Sequence, residues 1–199
     1  MKKLIAFIAT MLYCMTAFAQ QALWGGSQIV SPEINPDNSV TFRLRAPKAV
    51  RVQVIGDFTA SGPADLIEKE GIWEYTTDPL SPELYGYSFI VDGLITRDPS
   101  NVYTIRDVAT ITNVFIIGGG HADLYKVNKV PHGSVSKVWY TSPTLGSERR
   151  MTVYTPAGYE QNRKQKYHVL YLLHGAGGDE EAWMDLGRAS QILDNLIAQ

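Results

Sequence analysis

From Ser39 onward the chain alternates apolar and polar residues with a period of two. Val40, Phe42, Leu44 and Ala46 fall on one side, and Thr41, Arg43 and Arg45 on the other. Val50, Val52 and Val54 alternate with Arg51 and Gln53 in the same way, which is the pattern of half-buried strands. Ile72 to Thr77 follows Gly71 as a further short strand. Tyr85, Tyr87, Phe89 and Val91 line one face of another, which ends at the hairpin signal Asp92-Gly93. Leu94 to Arg97 reads as the return strand and Asp98-Pro99-Ser100-Asn101 as the next turn. Val114 to Ile117 closes the series before Gly118-Gly119-Gly120. Short strands with regular turns and no helical period predict a β-sandwich of about a hundred residues, over 20–120.

The pattern then changes. Residues 121–133, with Lys126, Lys129 and Pro131, read as a linker. Ser134 to Thr141 and Arg149 to Thr155 read as two antiparallel strands joined around Leu145-Gly146-Ser147. Tyr167 to Leu173 is an almost unbroken apolar run that ends in His174-Gly175-Ala176-Gly177-Gly178. Apolarity without alternation suits a strand buried on both faces of a parallel sheet. In open α/β sheets ligands bind just beyond the carboxyl ends of such strands, so the glycine loop stands where chemistry is expected. Ala189, Ile192, Leu193, Leu196 and Ile197 share one helical face, predicted to pack on that sheet. The fold class is multidomain, β plus α/β: a sandwich followed, over 134–199, by the first part of an α/β domain.

Composition leaves this picture intact and narrows it. The chain has 199 residues, of which 45% are hydrophobic and 19% charged, as in globular proteins. Lys2 and Lys3 precede an apolar run from Leu4 to Phe18, and Ala17-Phe18-Ala19 is a small-x-small cleavage pattern. Residues 1–19 are therefore read as a signal peptide and the protein as secreted or periplasmic. Cys14, the single cysteine, lies within that segment, so the mature chain would hold no disulfide, thiolate metal site or cysteine nucleophile. Without Lys2 and Lys3, 16 basic residues face 20 acidic ones, a net charge of about −4, which argues against nucleic acid or an anionic membrane as partner. His121, His132, His168 and His174 show no metal-ligand spacing. No metal or other cofactor is expected, and the expected partner is a polysaccharide or small ester.

The run Leu172-Leu173-His174-Gly175-Ala176-Gly177-Gly178-Asp179-Glu180 with Trp183, together with Arg150-Met151-Thr152-Val153-Tyr154-Thr155-Pro156-Ala157-Gly158-Tyr159, resembles the esterase D and feruloyl esterase branch of the α/β-hydrolases, the family 1 carbohydrate esterases. His168 stands where many relatives have proline. The resemblance implies an oxyanion loop in which the backbone N–H of Ala176 is one donor, flanked by Gly175 and Gly177 as substrate-binding positions. It implies that Trp183 either walls the acyl pocket or packs beneath the loop. His174 is read as orienting the loop, and Asp179 and Glu180 as capping the turn that follows. The family's nucleophile is a serine on a Gly-x-Ser-x-Gly elbow, followed by an acid and a histidine. Gly25-Gly26-Ser27-Gln28-Ile29 lacks the final glycine, and no other serine fits. The chain is thus expected to be the front part of an esterase, without its nucleophile, acid and histidine, and inactive as it stands.

In the sandwich, Gly56-Asp57-Phe58, Gly71-Ile72-Trp73, Tyr85-Gly86-Tyr87-Ser88-Phe89-Ile90-Val91-Asp92-Gly93 and Asp98-Pro99 resemble the family 48 carbohydrate-binding modules, which are immunoglobulin-like early-set sandwiches. Where α-glucan binders carry tryptophan and lysine, this chain has Thr59-Ala60-Ser61, Ser88 and Leu94, so no starch or glycogen binding is expected. Trp24, Trp73, Tyr75, Tyr85 and Tyr87 are the aromatic residues that either stack on sugar or fill the core. Tyr85, Tyr87 and Phe89 are assigned to the core, and Trp73 is taken as the sugar-facing position. Three functions follow from these resemblances. One is an exported esterase cutting feruloyl or acetyl esters on plant cell-wall polysaccharide such as xylan. The second is an esterase for a non-carbohydrate ester such as a siderophore lactone, and the third a non-catalytic glycan-binding protein.

Overall fold

A computed structural model describes residues 29–162 and 164–199. The segment read as a signal peptide, and Trp24, lie outside the described residues. Ten strands build two antiparallel sheets. β1 (Glu33–Ile34), β2 (Val40–Arg45), β6 (Ile72–Thr76) and β5 (Ile67–Lys69) form the first, in the order β1-β2-β6-β5. β4 (Ala64–Asp65), β3 (Val52–Gly56), β7 (Glu83–Val91), β10 (Thr110–Ile117) and β9 (Thr104–Asp107) form the second, in that order. β8 (Leu94–Thr96) pairs with the end of β7.

The period-two residues meet between the sheets. Val40, Phe42, Leu44 and Trp73 come from the first sheet and Val52, Val54, Tyr87, Phe89, Phe115 and Ile117 from the second, all in one buried cluster. Phe42 crosses the gap to Tyr87 at 4.8 Å and to Phe115 at 5.7 Å between ring centroids. Such offset aromatic pairs add to what area burial alone contributes. Two packed antiparallel sheets with alternating inward residues form a β-sandwich, as the alternation predicts.

The sandwich motifs have mechanical roles. A Cβ on Gly56 would lie 2.6 Å from the Gly86 carbonyl oxygen, so only glycine lets β3 approach β7 there. Asp57 accepts the Gly86 N–H at 2.6 Å, and Phe58 stacks on Phe42. Asp92 and Gly93 both have positive φ, 48° and 87°, as the two-residue hairpin turn requires. Asp98 is more than a turn residue. Its buried carboxylate accepts the Ser31 hydroxyl at 2.6 Å, the Tyr87 hydroxyl at 2.8 Å and the Ser100 N–H at 2.8 Å. Burial pushes its pKa above the usual carboxylate value, while these donors pull it back.

Beyond the sandwich lie two helices, α1 (Ala182–Asp185) and α2 (Ala189–Ile197). In the stretch 121–133, read as a linker, Gly120–Tyr125 forms a 3-10 turn and α2 packs against it. Asn195 donates to the carbonyls of Leu124 and Lys126, both at 2.9 Å, and Asp194 accepts the Gly133 N–H and the Tyr154 hydroxyl, both at 2.8 Å. The helix itself exists as predicted, but it buries Ala189, Asp194 and Asn195, while Leu196 and Ile197 remain exposed. β11 (Ser134–Ser142) and β12 (Ser147–Thr155) form their hairpin as a separate two-stranded sheet, and Val169 to Leu173 form no strand. Val169, Leu170, Tyr171 and Leu173 are 69–84% exposed. An apolar run takes up a central-strand conformation only when neighbouring strands satisfy its N–H and C=O groups, and the described residues hold no such neighbours.

Candidate oxyanion loop and its supports

The glycine loop closes as a turn. The Gly178 N–H donates to the Gly175 carbonyl at 3.1 Å, and Gly177 has φ +82°, a conformation that favours glycine. His174 Nδ1 lies 2.8 Å from the Gly175 carbonyl, which ties the imidazole to the loop as expected. Ala176, at the tip, is exposed, and among the described residues its N–H donates to no other backbone group. Gly175, Ala176 and Gly177 therefore form one turn with a free amide at its crest. Trp183 stands on the short helix α1 (Ala182–Asp185) that follows and is 43% exposed.

Three carboxylates follow the glycines, and each meets a cation from another element. Arg106 of β9 places Nη2 2.9 and 2.7 Å from the two oxygens of Asp179. Asp179 also accepts the Glu181 N–H at 3.0 Å, an Asx-type bond just ahead of the short helix, whose own N-terminus carries no side-chain cap. Arg106 first, then this amide, holds the Asp179 carboxyl below the usual carboxylate range. Arg150 of β12 pairs with Glu180 through Nε and reaches Glu181 with Nη2 at 3.1 Å. Glu181, only 5% exposed, also lies 2.9 Å from Lys137 Nζ of β11. Its Oε1 has no aligned hydrogen bond, so these contacts to Glu181 are ion pairs. Buried carboxylates persist when paired, and this one has two cations.

Trp73 does not join the loop. It is 9% exposed, sits in the sandwich core and donates its Nε1–H to the Ala46 carbonyl at 2.9 Å. Its assignment as a sugar platform is corrected: its place on the inward face of β6 turns the ring into the core. Tyr87, 1% exposed, and Phe89, fully buried, are core as assigned. Arg106 and Lys137, which pair with the loop's carboxylates, lie outside the motifs, whereas Arg150 opens the Arg150–Tyr159 motif without a role assigned to it there. Among the described residues no group of three His, Cys, Asp or Glu side chains could hold a metal ion, and no helix is long and apolar enough to cross a membrane.

Residues 142–199 match the model of the family described as Esterase, putative esterase. The chain is 32% identical over 173 residues to an endo-1,4-beta-xylanase/feruloyl esterase of Xylanibacter ruminicola, an alignment covering 84% of this chain and 24% of that protein. The chain thus spans about a quarter of the length of this curated relative. Among solved structures, the enterobactin esterase FES of Shigella flexneri is 16% identical at a TM-score of 0.44, with 57% of this chain and 39% of that one covered. The ferric enterobactin esterase of Salmonella typhimurium is 15% identical at a TM-score of 0.43, with 61% and 42% covered. Residues 142–199 thus resemble the esterase family, and the chain is similar in sequence to part of a protein named as a xylanase/feruloyl esterase.

Proposed function

We propose that this chain supplies the sandwich and one half of the oxyanion hole of an exported serine esterase that hydrolyses feruloyl or acetyl esters on plant cell-wall polysaccharide such as xylan. The observation that carries this reading is the 32% identity over 173 residues, 84% of the chain. In acyl transfer a negative oxygen develops on the tetrahedral intermediate, and preorganised N–H groups stabilise it. The Ala176 N–H is such a donor: it is presented on a glycine turn, and a backbone donor leaves the side chain free to be alanine. Its partner would be the N–H after a nucleophilic serine. Residues 20–199 contain no Gly-x-Ser-x-Gly, so they hold neither the serine nor its base. One donor alone moves no proton and forms no acyl-enzyme.

The test uses the whole enzyme, these residues joined to the elbow serine, acid and histidine. It should release ferulate from methyl ferulate or acetate from acetylated xylan, with a far lower kcat/KM on a catecholate trilactone. Residues 20–199 alone should release none of these products above background. Preference for the trilactone would favour a siderophore esterase. Absence of hydrolysis on every ester, with xylan retained by the sandwich, would favour a non-catalytic glycan-binding protein.

A further inference from the structure

The β9–β10 hairpin of the sandwich reaches the glycine loop at two places. Arg106 Nη2 bridges both oxygens of Asp179, at 2.9 and 2.7 Å, and its Nη1 donates at 3.0 Å to the carbonyl of Val108 in the hairpin turn. Val108 itself has φ +52°. A β-branched residue is an outlier in that conformation, where asparagine, aspartate or glycine would sit without strain. Such strain persists where the surroundings fix it and tends to mark functional places. The side chain faces the loop: a Cβ added to Gly177 would lie 3.4 and 3.6 Å from its two methyls, ordinary van der Waals distance. One hairpin thus sets a cation on Asp179 and an apolar side chain facing Gly177, on either side of Gly178. Ala176 directly precedes that glycine.

From this geometry we infer that the sandwich is a positioning element of the active site: Arg106 and Val108 hold the turn that presents the Ala176 N–H. The inference rests on the esterase reading for its catalytic consequence, but not for the clamp. Arg106 and Val108 touch no reacting atom, and they act through Asp179 and Gly177. The Arg106–Asp179 pair is partly exposed, with side chains 34% and 39% accessible, so its effect on loop opening is a modest factor.

Amide hydrogen exchange on the 199-residue chain reads the clamp directly. The Gly178 and Ala182 amides donate to the carbonyls of Gly175 and Asp179, and neither bond involves the Arg106 side chain. Arg106→Gln should speed their exchange by about fivefold, the range of a half-exposed ion pair. The exchange of Tyr87 and Phe89 in the sandwich core should not change. The reciprocal variant Arg106→Asp with Asp179→Arg should restore protection. Val108→Gly relieves the strained turn, so it should raise the melting temperature of the sandwich and still speed exchange at Gly178. Unchanged exchange at Gly178 and Ala182 in Arg106→Gln, with the sandwich folded, overturns the clamp. In the whole enzyme Arg106→Gln should lower kcat on methyl ferulate and leave KM unchanged. A wild-type enzyme that cleaves no ester contradicts the esterase reading, and the exchange rates then decide the clamp without it.

Discussion

At the scale of single residues, burial decides between roles that residue type leaves open. Tryptophan serves equally as a sugar platform or a core filler. Trp73 falls at the inward register of β6, opposite Leu44 of β2, and its indole N–H is already spent on Ala46. Trp73→Ala should therefore act on stability, costing about 3–5 kcal/mol by loss of burial and creation of a cavity. Urea titration of the sandwich measures this. A variant that keeps its midpoint and loses only glycan retention would return Trp73 to a binding role. Asp98 carries the same lesson in polar form. As part of an Asp-Pro pair it reads as a turn, yet its carboxylate organises Ser31, Tyr87 and Ser100. Sequence spacing does not disclose that convergence, because the partners lie up to 67 residues apart.

Among elements, legibility followed the locality of the signal. β2, β3, β6, β7 and the Asp92-Gly93 turn stand where period and turn chemistry predict them, because those preferences act within a few residues. β1, β4, β5 and β9 went unread: they are two to four residues long and exist through pairing with partners elsewhere. The Tyr167–Leu173 run failed for the opposite reason, since a central strand needs neighbours that the described residues do not supply. The loop was legible as a motif, whereas the pairing of its carboxylates with Arg106, Lys137 and Arg150 was not, because each cation comes from a distant strand. The Arg106–Asp179 contact carries a pH signature. Asp179 in the folded chain titrates below the 3.8 of a free aspartate, so the contact's contribution is fully present above that value. It is lost as pH falls through the lower, folded value. The difference in Gly178 exchange between wild type and Arg106→Gln should thus be constant from about pH 5 upward and shrink in acid. A difference that grew toward acid would contradict this assignment.

For the whole molecule, the two parts are joined by specific contacts. Helix α2 ties Leu124, Lys126 and Gly133 to itself, and the β9–β10 hairpin touches the glycine loop. On the proposed reading, the accessory sandwich shares in the geometry of catalysis as well as in any hold on the polysaccharide. Export belongs to the same reading. The exported protein should carry Gln20, or its pyroglutamate, at the N-terminus by mass spectrometry, and a mature form retaining Met1 would contradict cleavage after Ala19.

The central claim is that the Ala176 N–H stabilises the developing oxyanion. The most direct measurement is kcat on methyl ferulate for the whole enzyme and its Ala176→Pro variant, which removes that one donor. Circular dichroism must first show the two folds to be the same, since proline also restricts the backbone. Loss of one preorganised donor should lower kcat by about a hundredfold or more. An Ala176→Pro enzyme with an intact fold and an unchanged kcat would contradict the assignment.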